Sequence, residues 1–358
     1  MKIVCDAEAL ADALGFLNEV VATRTTIPAL NGVLIEVQEG VSLVRLTVND
    51  LEFAACITVP CTTVHSGKGF VALKRLFSIV REISGDTLLE TLKNDYVQVK
   101  AGSAKFKLVG TSADTAPQWI DISDQPFTEL SAESFAMAIE SVVFAAPKES
   151  GRYMLDGFLI ENGDFVATDG ARMAVFHASW AENIPRVLVP RRAASVLIKR
   201  LKEDTVLMYQ SERHILFQSG NREFVCRRLT GNFPNYVSVV PKQETLPIRS
   251  TFEVLEFLKC LNRVAVFADQ SEKDSFVRLE FSPEKIIFKA MSAGQGEAVD
   301  EMMAQGEGSL ALGFNARFIS EALNTRAGRA TFFGSASDSP TLWQHSANYQ
   351  IVMMPVRG

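Results

Sequence analysis

One pattern occurs three times in this 358-residue chain. A helical hydrophobic period comes first, at 8–20, 132–146 and 252–268. A short apolar strand follows, at 32–36, 157–161 and 276–281, and then a second helical period at 73–83, 191–201 and 316–323. The repeat length, roughly 120 residues, is far beyond a solenoid unit, so each copy is expected to be a domain with its own core. Building by repetition points to a ring or arc, and to geometry ahead of catalysis.

Turn-rich stretches set the borders. Residues 112–127 hold Pro117, Trp119, Asp121, Asp124 and Pro126, and residues 231–247 hold Pro234, Pro241 and Pro247. The expected domains are 1–121, 127–243 and 244–358. Between the helices strand signals dominate: 96–100 and 105–108 alternate around a turn at Gly102-Ser103, 214–218 and 224–226 around Gly220-Asn221, and 341–355 completes the third copy. Each copy is therefore α+β, two helices against antiparallel sheet.

Composition excludes several classes. Hydrophobic residues make up 47% and charged residues 22%, the balance of a folded chain. No run reaches the ~18 apolar residues of a membrane span. Residues 1–6 read as a first strand, without the apolar run of a secretory signal. Cys5, Cys56, Cys61, Cys226 and Cys260 are odd in number and scattered, which fits reduced thiols in a cytoplasm.

A net charge of −6 argues against nucleic acid unless the basic residues gather on one surface. They do recur on helices. Arg191, Arg192, Lys199, Arg200 and Lys202 surround one helix of the second copy, Lys74, Arg75 and Arg81 its counterpart in the first, and Lys259 and Arg263 the opening helix of the third. Arg24, Lys148 and Arg152 fall just past opening helices. In a closed ring with helices inward these would line one positive channel.

Catalytic constellations are thin. His65, His177, His214 and His345 are far apart with no metal-ligand spacing, and are expected to be satisfied or exposed structural residues. No nucleophile elbow or Walker loop occurs. Gly294-Gln295-Gly296 sits beside Glu297, Asp300 and Glu301, which would repel phosphate, so it reads as a turn. Thr168-Asp169-Gly170 reads as a tight turn, with Asp accepting local backbone bonds and Gly supplying a positive φ. No cofactor and no metal are expected. An enzyme with an inter-domain site around Asp169 and Arg172 is the alternative class.

Several strings together resemble the bacterial DNA polymerase III beta-subunit family, the sliding clamps. They are residues 24–30 (RTTIPAL), 151–157 (GRYMLDG), 168–174 (TDGARMA), 233–236 (FPNY) and 352–357 (VMMPVR), in order across essentially the whole chain. The resemblance implies a head-to-tail homodimer whose six domains close a ring around duplex DNA, without catalytic activity. It implies partners too: clamp loader, replicative and repair polymerases, held through short linear motifs. By family position Arg24, Arg152 and Tyr153 contact DNA, with Lys148, Arg191, Arg192 and Lys199 added from the charge pattern. The partner pocket carries over to Leu155, Thr168, Gly170, Arg172, Met173, Pro234, Val239, Val352, Met354, Pro355, Val356 and Arg357. A second part of that groove uses Met154, Asn315, Phe318 and Pro340.

For the dimer, the alternating strand Lys105-Phe106-Lys107-Leu108 reads as a sheet edge with Lys74 nearby. Opposite it stand Glu297, Asp300 and Glu301 on a strand, with Val266 and Phe267. Basic first domain against acidic third gives head-to-tail polarity. The chain departs from the family at Ala171, often His, at Ser238, which can be Arg, at Phe318, commonly Tyr, and at Gly358, a large apolar residue elsewhere. A specialised paralogue acting as an interaction platform is the second reading of the same family.

Overall fold

The computed structural model describes residues 1–21, 27–147, 155–199, 203–268, 276–292 and 296–356. Among these residues six α-helices pack against antiparallel sheets: α1 (Ala7–Val20), α2 (Leu73–Val80), α3 (Ala132–Val143), α4 (Arg191–Lys199), α5 (Val254–Ala265) and α6 (Ala316–Leu323). Each α1-type helix buries one stripe, as Leu10, Ala13, Leu14 and Leu17 show at helical spacing in α1. Asp6 caps α1 by accepting from the Ala9 amide at 2.9 Å. None of the described helices is long and apolar enough to cross a membrane.

Three expected helix limits shift. Phe252 belongs to the strand Ile248–Glu253, where Ser250 and Phe252 alternate inward, and α5 starts two residues later. The Phe252 ring stacks on Phe257 at 4.5 Å and meets Trp343 edge-on, contacts that fix it in the sheet. α3 stops at Val143 because Ala145 and Ala146 donate to Val142 and Val143, three residues back, which tightens the chain into a turn. α2 stops at Val80, before Gly85 at φ +72°.

The chain divides into two compact units, 1–136 with 195–228 and 137–194 with 229–358. In the first, a five-stranded sheet has Ala104–Leu108 at one edge. A nine-stranded sheet there joins Phe53–Pro60 of the first repeat to Arg222–Arg227 of the second, with Phe53 opposite Cys226. In the second unit, Arg172–His177 pairs with Tyr349–Met353 in the same manner, Arg172 opposite Met353. A four-stranded sheet of that unit ends on Gly296–Met303. The sheets run through the repeat borders. An antiparallel edge left open at each border would expose unpaired amides and carbonyls, and the neighbouring repeat covers it.

The expected Asp turn is present, and it occurs twice. Asp169 Oδ1 accepts from the amides of Ala171 and Arg172, both at 2.9 Å, around Gly170 at φ +92°. In the first repeat Asp50 Oδ1 accepts from Glu52 and Phe53 at 3.2 and 2.8 Å, around Leu51 at φ +78°. A leucine there is strained, and 60% of it is exposed, so its side chain recovers little. Leu51→Gly is expected to stabilise the protein by about 1 kcal/mol, read as a higher urea midpoint; an unchanged or lower midpoint refutes it.

His345 departs from expectation. His65 is exposed and His177 Nδ1 lies 2.8 Å from Asp164 Oδ1, but both ring nitrogens of His345 are buried without a hydrogen-bond partner among the described residues. The ring stacks on Tyr349 at 5.2 Å. Burial, with Arg326 adding positive field, pulls the imidazole from 6.5 down to about 4. A depressed histidine favours the neutral form when folded, so its contribution is full above pH 6.5 and is lost as pH falls toward 4. Between pH 7 and 4.5 the loss is expected to be roughly 2 kcal/mol. His345→Phe should flatten that slope in paired urea titrations; an undiminished acid loss in the variant rules the histidine out.

Candidate functional site

The groove residues expected from sequence lie in the second unit and are built around Arg172. The turn that presents it is locked from within: Thr168 Oγ1 donates to the Arg172 carbonyl at 2.7 Å and accepts from the Gly170 amide at 3.1 Å. The Arg172 guanidinium is 7% exposed. Its Nε donates to Asp169 Oδ2 at 3.0 Å, and its Nη2 to Glu321 Oε2 at 2.7 Å and to the Phe144 carbonyl at 2.8 Å. It lies 4.1 Å over the Phe318 ring, a cation–π contact.

α6 brings the other half. Asn315 caps it, accepting from the amides of Arg317 and Phe318 at 2.9 and 3.3 Å. Burial alone would raise the Glu321 carboxyl, but hydrogen bonds from Arg317 and Arg172 outweigh it and hold the group below its ordinary 4.5. This commitment of Asp169 and Arg172 to one another leaves no free acid–base pair there. Among the described residues no group of three His, Cys, Asp or Glu side chains could hold a metal.

The final segment ties the two halves together. The Met354 amide donates to the Ala171 carbonyl at 2.9 Å and the Val356 amide to the Gly313 carbonyl at 2.8 Å. Gly313 is required by close approach: a Cβ there would run into the Phe276 ring and stand 2.8 Å from the Val356 carbonyl oxygen. Beneath them Leu155, Met173 and Val352 share one buried apolar cluster with Phe233 and Tyr236. Pro234, Val239, Met354 and Val356 are exposed above it, and Pro340 and Pro355 half-buried. Val237, exposed on the same linker, was not expected from sequence; its signal is an apolar residue inside a proline-rich connection. Tyr236 anchors that linker, its hydroxyl donating to Asp164 Oδ2 at 2.7 Å.

The expected DNA-contacting residues fare differently. Arg192 and Lys199 are exposed on α4, and Ser195 between them shares their face. Arg191 is half-buried; burial lowers its pKa, and it lies in the field of Glu321, Arg172 and Arg317, beside the groove rather than on that open face. α1 and α3 carry Glu8, Asp12, Glu19, Glu133 and Glu140 and no Lys or Arg, so the basic helix faces belong to α2, α4 and α5. Arg24, Lys148, Arg152, Tyr153, Met154, Arg200, Lys202, Gly294, Gln295, Arg357 and Gly358 lie outside the described residues.

The two expected contact strands are both sheet edges. On Ala104–Leu108, Lys105 and Lys107 face solvent and Phe106 and Leu108 turn inward; Lys107 lies 4.1 Å over the Tyr96 ring. Lys74 is exposed on α2. On Gly296–Met303 the acidic residues split. Glu297 and Glu301 face outward with Val299 and Met303, while Asp300 turns to α5 and accepts from Arg263 Nε at 2.6 Å. Glu301 also pairs with Lys285 Nζ at 2.8 Å. Val266 is exposed and Phe267 half-buried. Val299 and Met303, 64% and 72% exposed, were not singled out from sequence; period-two alternation with Glu297 and Glu301 is the signal that finds them.

Comparisons with known proteins agree along the whole chain. Residues 1–120, 129–235 and 237–357 match in turn the N-terminal, central and C-terminal domain models of the DNA polymerase III beta subunit. The beta sliding clamp of Caulobacter vibrioides is 28% identical over 382 residues, covering all of both chains. That of Synechococcus elongatus is 27% identical over 345 residues, 91% of each. Among solved structures, the DNA polymerase III subunit beta of Pseudomonas aeruginosa is 25% identical with a TM-score of 0.91, all of both chains covered. A Bartonella birtlesii sliding clamp bound to griselimycin is 25% identical with a TM-score of 0.93, again over all of both chains. Three consecutive domain matches with full-length relatives leave one assignment: the chain belongs to the bacterial DNA polymerase III beta-subunit family, the beta sliding clamps.

Proposed function

We propose that two copies of this chain join head to tail into a ring around duplex DNA and hold polymerases, clamp loader and repair proteins on it, in the bacterial cytoplasm. The observation that carries this reading is the pair of unpaired sheet edges, Ala104–Leu108 in the first repeat and Gly296–Met303 in the third. One edge is basic and the other acidic on its outward face, so they suit each other and not themselves. Cations on α2, α4 and α5, with Arg24, Lys148, Arg152 and Tyr153, supply loose sequence-independent attraction to phosphates. Long residence comes from closure of the ring. The groove around Arg172, with its apolar floor and exposed Met354, Val356 and Val239, takes an extended partner peptide. Its residues are Leu155, Thr168, Gly170, Met173, Pro234, Asn315, Phe318, Pro340, Val352 and Pro355, with Met154 and Arg357.

The test is topological. Protein loaded onto a nicked circular duplex by its clamp loader is expected to stay with the DNA through gel filtration in high salt and to leave once the circle is cut. Equal release from circular and linear DNA defeats the reading.

A further inference from the structure

A second cleft, of about 830 Å3, opens on the sheet face of the first repeat. Leu34 and Thr47 form its floor, Val41 and Leu43 one wall, and Trp119 of the connection between the first two repeats the other. It occupies the counterpart of the partner groove, strand for strand. Leu34 stands opposite Thr47 and Phe70, as Leu159 stands opposite Val166 and Leu188. Beside them the ion pair Lys68–Glu36, at 2.6 Å, answers Arg186–Glu161 at 2.8 Å. Where Met354 donates to Ala171, Arg227 donates to Glu52, both at 2.9 Å. The connections match as well: residues 116–119 read APQW where 233–236 read FPNY. Each aromatic is tied to a charge on the equivalent strand, Tyr236 to Asp164 and Trp119 beneath Arg45, 5.3 Å from the ring centre.

The differences open space. Ala116 replaces Phe233 and Thr47 replaces Val166, each a loss of apolar bulk from the lining. A longer loop between strands Gly32–Val37 and Leu43–Asn49 then adds Val41 and Leu43 as a wall absent from the second repeat, where only Asn162 and Gly163 intervene.

We propose that this cleft is a second linear-motif site, taking an extended peptide with bulky apolar side chains two residues apart. Such spacing puts both side chains on one face of the peptide. The cleft's volume suits more than one side chain. Both rim cations are already matched within the chain, Lys68 by Glu36 and Arg45 by Glu223 at 3.5 Å, and Asp114 is hydrogen-bonded locally to Ser112, so recognition rests on the apolar wall. The choice of a peptide rests on reading the Arg172 groove as a peptide site.

The probe is acetyl-Leu-Ala-Phe-amide, titrated into the full-length protein while the indole N–H resonance of Trp119 is followed by NMR, with Trp119→Phe identifying the signal. A saturating shift is expected, weakened at least tenfold by Leu43→Arg and by Val41→Arg, and kept in Met354→Asp. A Trp119 resonance that stays still up to the peptide's solubility limit overturns the proposal, as does a shift lost in Met354→Asp but kept in both cleft variants. Failure of the other groove would show separately, as unchanged polymerase binding by Met354→Asp with the Trp119 shift intact.

Discussion

A chain carrying Val299→Lys and Met303→Lys is expected to run as a monomer at micromolar concentration, where the unaltered protein runs as a dimer. Both side chains point outward from the edge strand Gly296–Met303, which among the described residues pairs only with Lys285–Ser292. Being 64% and 72% exposed, they contribute little to the folded monomer, and their replacement should move its stability by no more than about 0.5 kcal/mol. In the proposed ring the same two positions share the outward face of Glu297 and Glu301, which meets the edge carrying Lys105 and Lys107. Two ammonium groups there would compete for Glu297 and Glu301, meet like charge across the edge and remove the apolar contact of Val299 and Met303. A cost of about 4 kcal/mol follows, which is roughly a thousandfold in dissociation constant. Light scattering coupled to gel filtration reads the outcome, and a urea midpoint confirms that the monomer is intact. Lys105→Glu with Lys107→Glu on the opposing edge should restore part of the dimer. An undisturbed dimer in the lysine variant would remove this strand from the interface.

Much of the fold around these strands was legible in the sequence, and the part that was not has a physical cause. The turns at Gly102 and Gly220 sit at positive φ and fixed both hairpins from local residues alone. A helix start was legible where a side chain caps it, as at Ala316 behind Asn315, and not where the cap is missing, as at Val254 behind Glu253. Which acidic residues of 297–301 face outward depends on Met302 turning inward against α5, a tertiary fact that shifts Asp300 onto Arg263. Sheet pairing across repeat borders, Phe53 with Cys226 and Arg172 with Met353, joins segments far apart in sequence, and no local pattern encodes it. Basic residues on α2 and α4 were legible as a set, yet the acidic faces of α1 and α3 confine the positive surface to fewer helices. Arg172 was recognised by its motif, but its partner Glu321 comes from the other end of the chain, so its burial was hidden.

Arg172→Ala is therefore expected to damage the fold and the groove together. The side chain holds four groups at once: the carboxylates of Asp169 and Glu321, the Phe144 carbonyl and the Phe318 ring. Truncation leaves both carboxylates, each mostly shielded from water, without that cation, and breaking a buried pair from one side typically costs about 3 kcal/mol. One nitrogen, Nη1, is buried with no partner among the described residues, so some desolvation cost is already present and limits the loss. Arg172→Lys keeps the charge but not the planar fork; a single ammonium reaches one carboxylate well, and about 1–2 kcal/mol should be lost. Because α6 is tied to the Asp169 turn through this residue, partner-peptide affinity should fall at least tenfold in Arg172→Ala even at temperatures where the protein stays folded. Urea unfolding and fluorescence anisotropy with a labelled polymerase tail peptide separate the two effects. Combined with Glu321→Gln, the losses should be less than additive by about 1 kcal/mol, since the second change relieves a charge the first has stranded. Stability within about 0.5 kcal/mol of the unaltered protein in Arg172→Ala, or full additivity of the pair, would show that the guanidinium is not what joins the turn to α6.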